Sequence, residues 1–180
     1  MRVADDARLV ELARSGSSAA FDELFRRHHR AVHAVAYHLL ADGDAADDVV
    51  QEVFIRVHRS LRSFRGDCAV KAWVMRIAVN SCISHQRRAK YRRAEPIEAG
   101  DRPVPDDRPT LAQDAAAEAL AGLRPVERAL VVLKDVQGHT YEEIAQILCC
   151  SPNSVGVRLH RARTKLRSQF ARIRQEQVEP

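Results

Sequence analysis

Four prolines, at positions 96, 103, 105 and 109, fall within the stretch EPIEAGDRPVPDDRPTLAQD. A proline inside a helix removes a backbone donor and clashes with the preceding turn, and it drives the residue before it into extended backbone. The stretch also lacks apolar periodicity. The chain therefore reads as two units, 1–94 and 115–180, joined by an extended linker over 95–114. A linker of about 20 residues spans up to roughly 70 Å. Charge divides near the same places. Residues 1–94 carry 17 Lys and Arg against 11 Asp and Glu, residues 95–118 carry 2 against 7, and residues 119–180 carry 10 against 6. Two basic units flank an acidic bridge. The 180-residue chain has a formal net charge of +5 and a pI near 9.3, which points to a polyanionic partner.

Both units read as helical. Phe21, Leu24, Phe25, Val32, Val35, Ala36, Leu39 and Leu40 recur at helical spacing, and Gly43 punctuates them. A second helix is expected from about Ala45, with Val49, Val50, Val53, Phe54, Val57 and Leu61 as its apolar stripe and Gly66 as its break. A third is expected from about Val70 to Arg88 or beyond, with Trp73, Val74, Ile77, Ala78 and Ile83 inward. No alternating strand pattern competes, so the fold class is all-α.

The second unit begins near Ala115. Pro125 suits a helix first turn, and Gly138 is expected to end the helix that follows. Thr140 and Glu143 have the spacing of a capping box. Ile144, Ala145, Ile147 and Leu148 then share a face, and Ser151-Pro152 restarts a helix as cap and first residue. Val155, Leu159, Ala162, Leu166 and Phe170 form one stripe of that last helix. Gly156, Val157, His160, Arg161 and Thr164 fall opposite. Two short helices joined by a tight turn, the second basic on its free face, are the helix-turn-helix pattern. Such a helix fits the major groove, and Arg158, Arg161, Arg163, Lys165 and Arg167 suit phosphate neutralisation.

The first unit carries a different constellation. Trp73, Arg76 and Asn80 follow Phe64-Arg65-Gly66-Asp67, and Arg87, Arg88, Lys90, Arg92 and Arg93 crowd the end of the same helix. Rings that stack, amides that read base edges and cations that track phosphates suit single-stranded DNA. Asp47, Asp48, Gln51 and Glu52 form a compact acidic edge on this otherwise basic unit, suited either to the helix dipole or to a basic partner.

Several classes of function are disfavoured. No GxSxG, Gly-rich phosphate loop or HExxH motif occurs, so no catalytic residue, metal site or cofactor is assigned. His29 and His33 have helical i, i+4 spacing, but no Cys/His cluster accompanies them. Residues 1–12 hold no apolar signal core, and no apolar run of about 20 residues occurs. A cytoplasmic protein without membrane insertion is expected, with Cys68, Cys82, Cys149 and Cys150 as buried thiols.

Four segments in order carry a resemblance: AAFDELFRRHHRAV, DDVVQEVFIRVHRSLRSFRGD, KAWVMRIAVNSCISHQRR and LAGLRPVERALVVLKDVQGHTYEEIAQILCCSPNSVGVRLHRARTKL. Over residues 6–172 the chain resembles the extracytoplasmic-function sigma factors, small two-domain members of the sigma-70 family. The resemblance implies that Asp47, Asp48, Gln51 and Glu52 bind core RNA polymerase. It implies melting and reading of the promoter −10 element by Phe64, Arg65, Lys71, Trp73, Arg76 and Asn80, with Arg87 and Arg88 on the backbone. The −35 duplex would be read by the last helix, through Ser154, Gly156, Val157, Arg158, His160, Arg161, Arg163 and Lys165. It also implies an anti-sigma partner, and an acidic linker (Glu98, Asp101, Asp106, Asp107) threading the polymerase's RNA path. The run Asn153-Ser-Val-Gly-Val-Arg158 departs from the family, because Gly156 and Val157 replace a basic residue and a serine. A one-component helix-turn-helix regulator is the rival reading. It accounts for the last segment but not for the first three.

Overall fold

The computed structural model describes residues 5–94 and 111–176. Every regular element among them is helical. In the first unit these are α1 (Asp6–Arg14), α2 (Ser18–Leu40), α3 (Gly43–Ser60) and α4 (Val70–Ala94), with a short 3-10 turn, Leu61–Ser63, after α3. In the second they are α5 (Leu111–Ala121), α6 (Pro125–Val131), α7 (Tyr141–Leu148) and α8 (Pro152–Glu176).

Local chemistry sets most boundaries. Ser17 caps α2 by accepting the Ala20 amide at 3.3 Å, and Asp42 caps α3 by accepting that of Ala45 at 3.0 Å. Gly43 is therefore the first residue of α3, not the break. The break is Ala41, held in left-handed backbone at φ 53° with its amide on the Tyr37 carbonyl. The helix α1 was not anticipated. Asp6 fastens it to α2, accepting from Arg27 Nη1 at 2.7 Å and meeting His28 Nε2 at 2.8 Å.

The linker expected to run to Asp114 gives way to helix at Leu111. The last proline is Pro109, and Leu-Ala-Gln are strong helix formers, so nothing in 111–114 opposes helix. Gly138 follows the end of the helical run, as expected, and lies in left-handed backbone at φ 72°. Between it and α6, however, the chain widens into a π-turn, Val132–Val136, closed by the Gln137 amide on the Val132 carbonyl at 2.9 Å. Among the cysteines, Cys82 alone is fully buried, and burial pushes its thiol up to about 12. Cys149 is exposed and caps α7 in left-handed backbone at φ 52°, while Cys68 and Cys150 are half-covered. All four are free thiols.

The buried residues of the two units form one contiguous core. In the first unit, Leu24, Val32, Val35 and Leu39 of α2 pack against Val49, Val53 and Val57 of α3 and Val74 and Ala78 of α4. Met75, Val79 and Cys82 of α4 are buried as well, so α4 is covered on more than the expected side. The second covering element is α7, which packs across α4. The second unit is built on Leu130, Leu133, Ile144, Ile147, Val155 and Leu159. Among the described residues no helix is long and apolar enough to cross a membrane.

One carboxylate braces the second unit. Glu127 of α6 is 6% exposed. It accepts from Arg124 at 2.6 and 3.0 Å and from Lys165 of α8 at 2.9 and 3.1 Å. Its hydrogen bond with Arg124, reinforced by Lys165 against the opposing effect of burial, lowers its pKa from 4.5 to about 2. A carboxylate with a depressed folded-state pKa contributes stability above its unfolded value and loses it as pH falls through the folded one. Glu127→Gln should therefore cost about 2 kcal/mol near neutral pH. The gap from the parent should close between pH 4.5 and about 2. Thermal unfolding of both proteins across that range checks this.

Candidate nucleic-acid interface

Three surfaces emerge from this packing. The first is the outward side of α3. Its buried residues Val49, Val50 and Val53 face α2 and α4, which leaves Asp47, Asp48 and Gln51 exposed together. Glu52 is only half-exposed, because it accepts from Arg56 at 2.5 Å and from Arg88 of α4 at 3.1 Å. Asp47 meets His33 of α2 at 3.3 Å. One turn beyond Gln51 and Glu52, at the edge of this acidic run, stands Ile55, 51% exposed. It lines a recess of about 430 Å³ with Phe21, Gln51, Phe54, His58 and Arg59. The sequence reading passed over Ile55, yet the signal was there: it is an aliphatic residue off the buried stripe.

The second surface is the outer stripe of α4. At 100° per residue, Trp73, Asn80 and Arg87 fall on one side, with Arg76 at its edge. Asn80, Arg87 and Arg88 are exposed. Trp73 is half-buried, its ring tilted 37° against that of Phe64 at 4.7 Å between centroids, so it serves the core and the surface together. Arg65 is exposed in the turn before α4, where Gly66 takes φ 79°. The Arg14 guanidinium fixes that turn, donating to the carbonyls of Leu61 and Phe64. Lys71 stands on the other side of the first turn of α4. The side chains of Lys90, Arg92 and Arg93 lie outside the described residues, as do Glu98, Asp101, Asp106 and Asp107.

The third surface is the free face of the helix-turn-helix. The capping box forms: Thr140 Oγ1 accepts the Glu143 amide at 3.2 Å, and Glu143 accepts the Thr140 amide at 2.9 Å. The Thr140 amide holds the Glu143 carboxyl below its usual range, with His139 and Lys71 as smaller contributors against desolvation. Cys150 returns its amide to the Ala145 carbonyl at 3.0 Å, which closes the turn. Ser151 then caps α8 through the Ser154 amide at 3.2 Å. Val155, Leu159 and Ala162 are buried, whereas Val157, Arg158, His160 and Arg161 are exposed. Gly156 and Ser154 are half-covered. Two cations sit differently from the expectation of a free phosphate-binding row. Lys165 is committed to Glu127, and Arg163 forms an ion pair with Asp135 of the π-turn. Intradomain carboxylates thus hold Arg163 and Lys165 in the middle of α8.

The histidines do not converge. His28 faces Asp6, His29 stacks on Phe25 with rings 5.1 Å apart, and His33 faces Asp47. Among the described residues no group of three or more His, Cys, Asp or Glu is placed to hold a metal.

The second surface touches α7 of the second unit. Arg76 of α4 donates through Nη2 to the Gln146 carbonyl of α7 at 2.6 Å. Its Nε is buried without a hydrogen-bond partner among the described residues.

Sequence and structure comparisons assign this architecture. The sigma-70 region 2 profile matches residues 24–92, and the sigma-70 region 4 profile matches residues 113–166. The chain is 40% identical over 163 residues to the ECF RNA polymerase sigma factor SigM of Mycobacterium tuberculosis, covering 89% of this chain and 82% of that one. The chain belongs to the extracytoplasmic-function sigma factors. The ECF RNA polymerase sigma-E factor of Escherichia coli is 31% identical over 88% of this chain and 90% of its own. Among solved structures, CnrH in complex with the cytosolic domain of CnrY superposes with a TM-score of 0.70 at 29% identity, over 92% of this chain and 97% of that one. RpoE of Bartonella quintana in complex with the anti-sigma factor NepR gives 0.64 at 25% identity, over 84% and 96%.

The contact between units is open to direct test. Arg76→Ala removes the bond to Gln146 and also a buried unpaired nitrogen, so these effects offset and overall stability should change by less than about 1 kcal/mol. Amide exchange along α7 should nevertheless quicken in the variant. Identical exchange in both proteins would show that Arg76 does not hold α7 in place.

Proposed function

We propose that this sigma factor directs core RNA polymerase to promoters through the three surfaces described above. The acidic side of α3 docks on core polymerase through Asp47, Asp48 and Gln51, with Ile55 as an apolar anchor. Glu52 orients Arg88 as well as lining that side. The turn and outer stripe of α4 (Phe64, Arg65, Trp73, Arg76, Asn80, Arg87) take the melted −10 strand. The first turns of α8 enter the major groove at −35, with Arg158, His160 and Arg161 beside the base-reading positions. Lys71, Arg163 and Lys165 have supporting roles in this scheme, because their charges are partly balanced by Glu143, Asp135 and Glu127. The factor itself performs no chemistry and holds no cofactor. It acts in the cytoplasm, where polymerase and DNA are.

The observation that carries this reading is the presence of two exposed surfaces of different chemistry on one chain. The α8 face is basic and suits a duplex. The α4 stripe offers an amide, an aromatic ring and cations in line, which suits unstacked bases. A one-component regulator needs only the former. The described conformation also sets a condition: with Arg76 on Gln146, α7 must leave α4 before the whole stripe meets a strand. An anti-sigma partner of the kind bound to the solved relatives fits here, by holding the two units in an unproductive arrangement.

Two measurements test the assignment. Asp48→Arg combined with Ile55→Asp should weaken binding to core polymerase at least tenfold. Both side chains are exposed, so stability should change by only about 0.5 kcal/mol. Undiminished binding removes this side of α3 from the docking surface. Asn80→Ala should reduce permanganate reactivity at the −10 element on duplex promoters while leaving −35 protection intact, since its partner base is exposed only on melting. An unaltered pattern rejects Asn80 as a strand reader.

A further inference from the structure

The free face of the helix-turn-helix is not uniformly polar. A shallow recess of about 420 Å³ lies between the starts of α7 and α8, lined by Tyr141, Pro152, Asn153, Gly156, Val157, His160 and Arg161. Val157 is 51% exposed and Tyr141 37%. Gly156 leaves the floor open between them: a Cβ placed there would lie 3.6 Å from Tyr141 Cε2, an ordinary contact. Lys134 Nζ lies 5.2 Å from the centroid of the Tyr141 ring, which fixes a cation beside the aromatic wall. Arg158, His160 and Arg161 are exposed around the recess. The result is an apolar spot within a basic rim, at the point of α8 where a recognition helix reaches base edges.

The geometry points to a thymine C5-methyl group as the occupant of this spot, with Val157 as the specificity-determining contact. The inference rests on the reading of α8 as the −35 duplex interface. The basic rim selects DNA. Within the major groove, the only apolar group a base presents is the thymine methyl. Valine has no side-chain donor or acceptor, so it gains nothing from the guanine, cytosine or adenine edges, and Gly156 adds none. The missing side chain at Gly156 also lets the groove approach the helix backbone closely. Recognition at this step is therefore by shape and apolar contact, while the neighbouring Arg and His hold the phosphates and polar edges.

The test uses holoenzyme assembled from core polymerase and the full chain. Preferred −35 duplexes are first selected from a randomised library, and each thymine is then replaced singly by deoxyuridine, which removes only the methyl. Loss of one buried methyl should weaken binding about fourfold at one thymine position. 5-Methylcytosine in place of cytosine at that step should recover part of the binding lost there. Val157→Ser, at an exposed position, should fold normally by thermal melting and bind thymine and uracil duplexes alike. Uracil tolerated at every position, or an undiminished uracil penalty in Val157→Ser, overturns the assignment of Val157. Absence of hydroxyl-radical protection at −35 by the parent holoenzyme overturns the duplex interface itself, and the thymine contact with it.

Discussion

The guanidinium of Arg128 ties the two units of this chain together. It donates to the carbonyls of Leu120 and Ala121 at the end of α5, and to that of Leu39 at the end of α2. The last carbonyls of a helix have no partner within it, so a buried end must be satisfied from outside. Arg128 satisfies two helix ends at once, one in each unit. Burial disfavours its charge and lowers its pKa, yet guanidinium stays protonated because its ordinary value is so high. Gln86 of α4 donates to the same Leu39 carbonyl at 2.5 Å. The end of α2 is thus where α4 and α6 are brought into register.

From that point the rest of the closed arrangement follows. With α6 tied to α2, the π-turn and α7 fall across α4, and Met75 and Val79 acquire their second cover. The seam they make is mixed. It contains apolar contact, one charged hydrogen bond from Arg76, and a buried nitrogen on the same residue that finds no partner among the described residues. An unsatisfied buried donor carries a desolvation cost that an interface built only for stability would avoid. A seam of this kind can close one state of the molecule and still release it, as a factor that must spread along a promoter requires.

The helices were legible from residue spacing because each buries a stripe, and the caps at Thr140, Ser151 and Pro125 were legible because they use local side-chain chemistry. The misplaced boundaries have a common cause. Gly43 was read as a break because glycine usually is one, but Asp42 supplied a stronger signal one residue earlier by capping α3. The π-turn at 132–136 left no mark in the sequence, since Val-Leu-Lys-Asp-Val suits an ordinary helix as well. The partners of Lys165 and Arg163 were equally hidden: Glu127 and Asp135 lie 38 and 28 positions away, and only the fold brings them together. Family resemblance carried the roles of the α3 edge and the α4 stripe, which residue chemistry alone left open between surface charge and binding.

What the structure adds is the meaning of apolar residues that stand outside the buried stripes. Single exposed aliphatic side chains are common on protein surfaces and need no explanation. Ile55 and Val157 differ because of their surroundings. Each is about half exposed, and each lines a recess that also holds cationic or titratable side chains, His58 and Arg59 beside Ile55 and His160 and Arg161 beside Val157. The exposed acids Asp47 and Asp48 stand about two turns before the Ile55 recess on α3, whereas exposed Arg158, His160 and Arg161 stand beside Val157 on α8. Charge draws in a partner of opposite sign over long distances but discriminates poorly among such partners, whereas an apolar contact acts only where shapes meet. Placing one beside the other separates attraction from selection. On α8 the two are nested, since Val157 lies within the basic rim; on α3 they are adjacent, since the Ile55 recess follows the acidic edge along the helix, so the same pair of effects is arranged differently on the two surfaces.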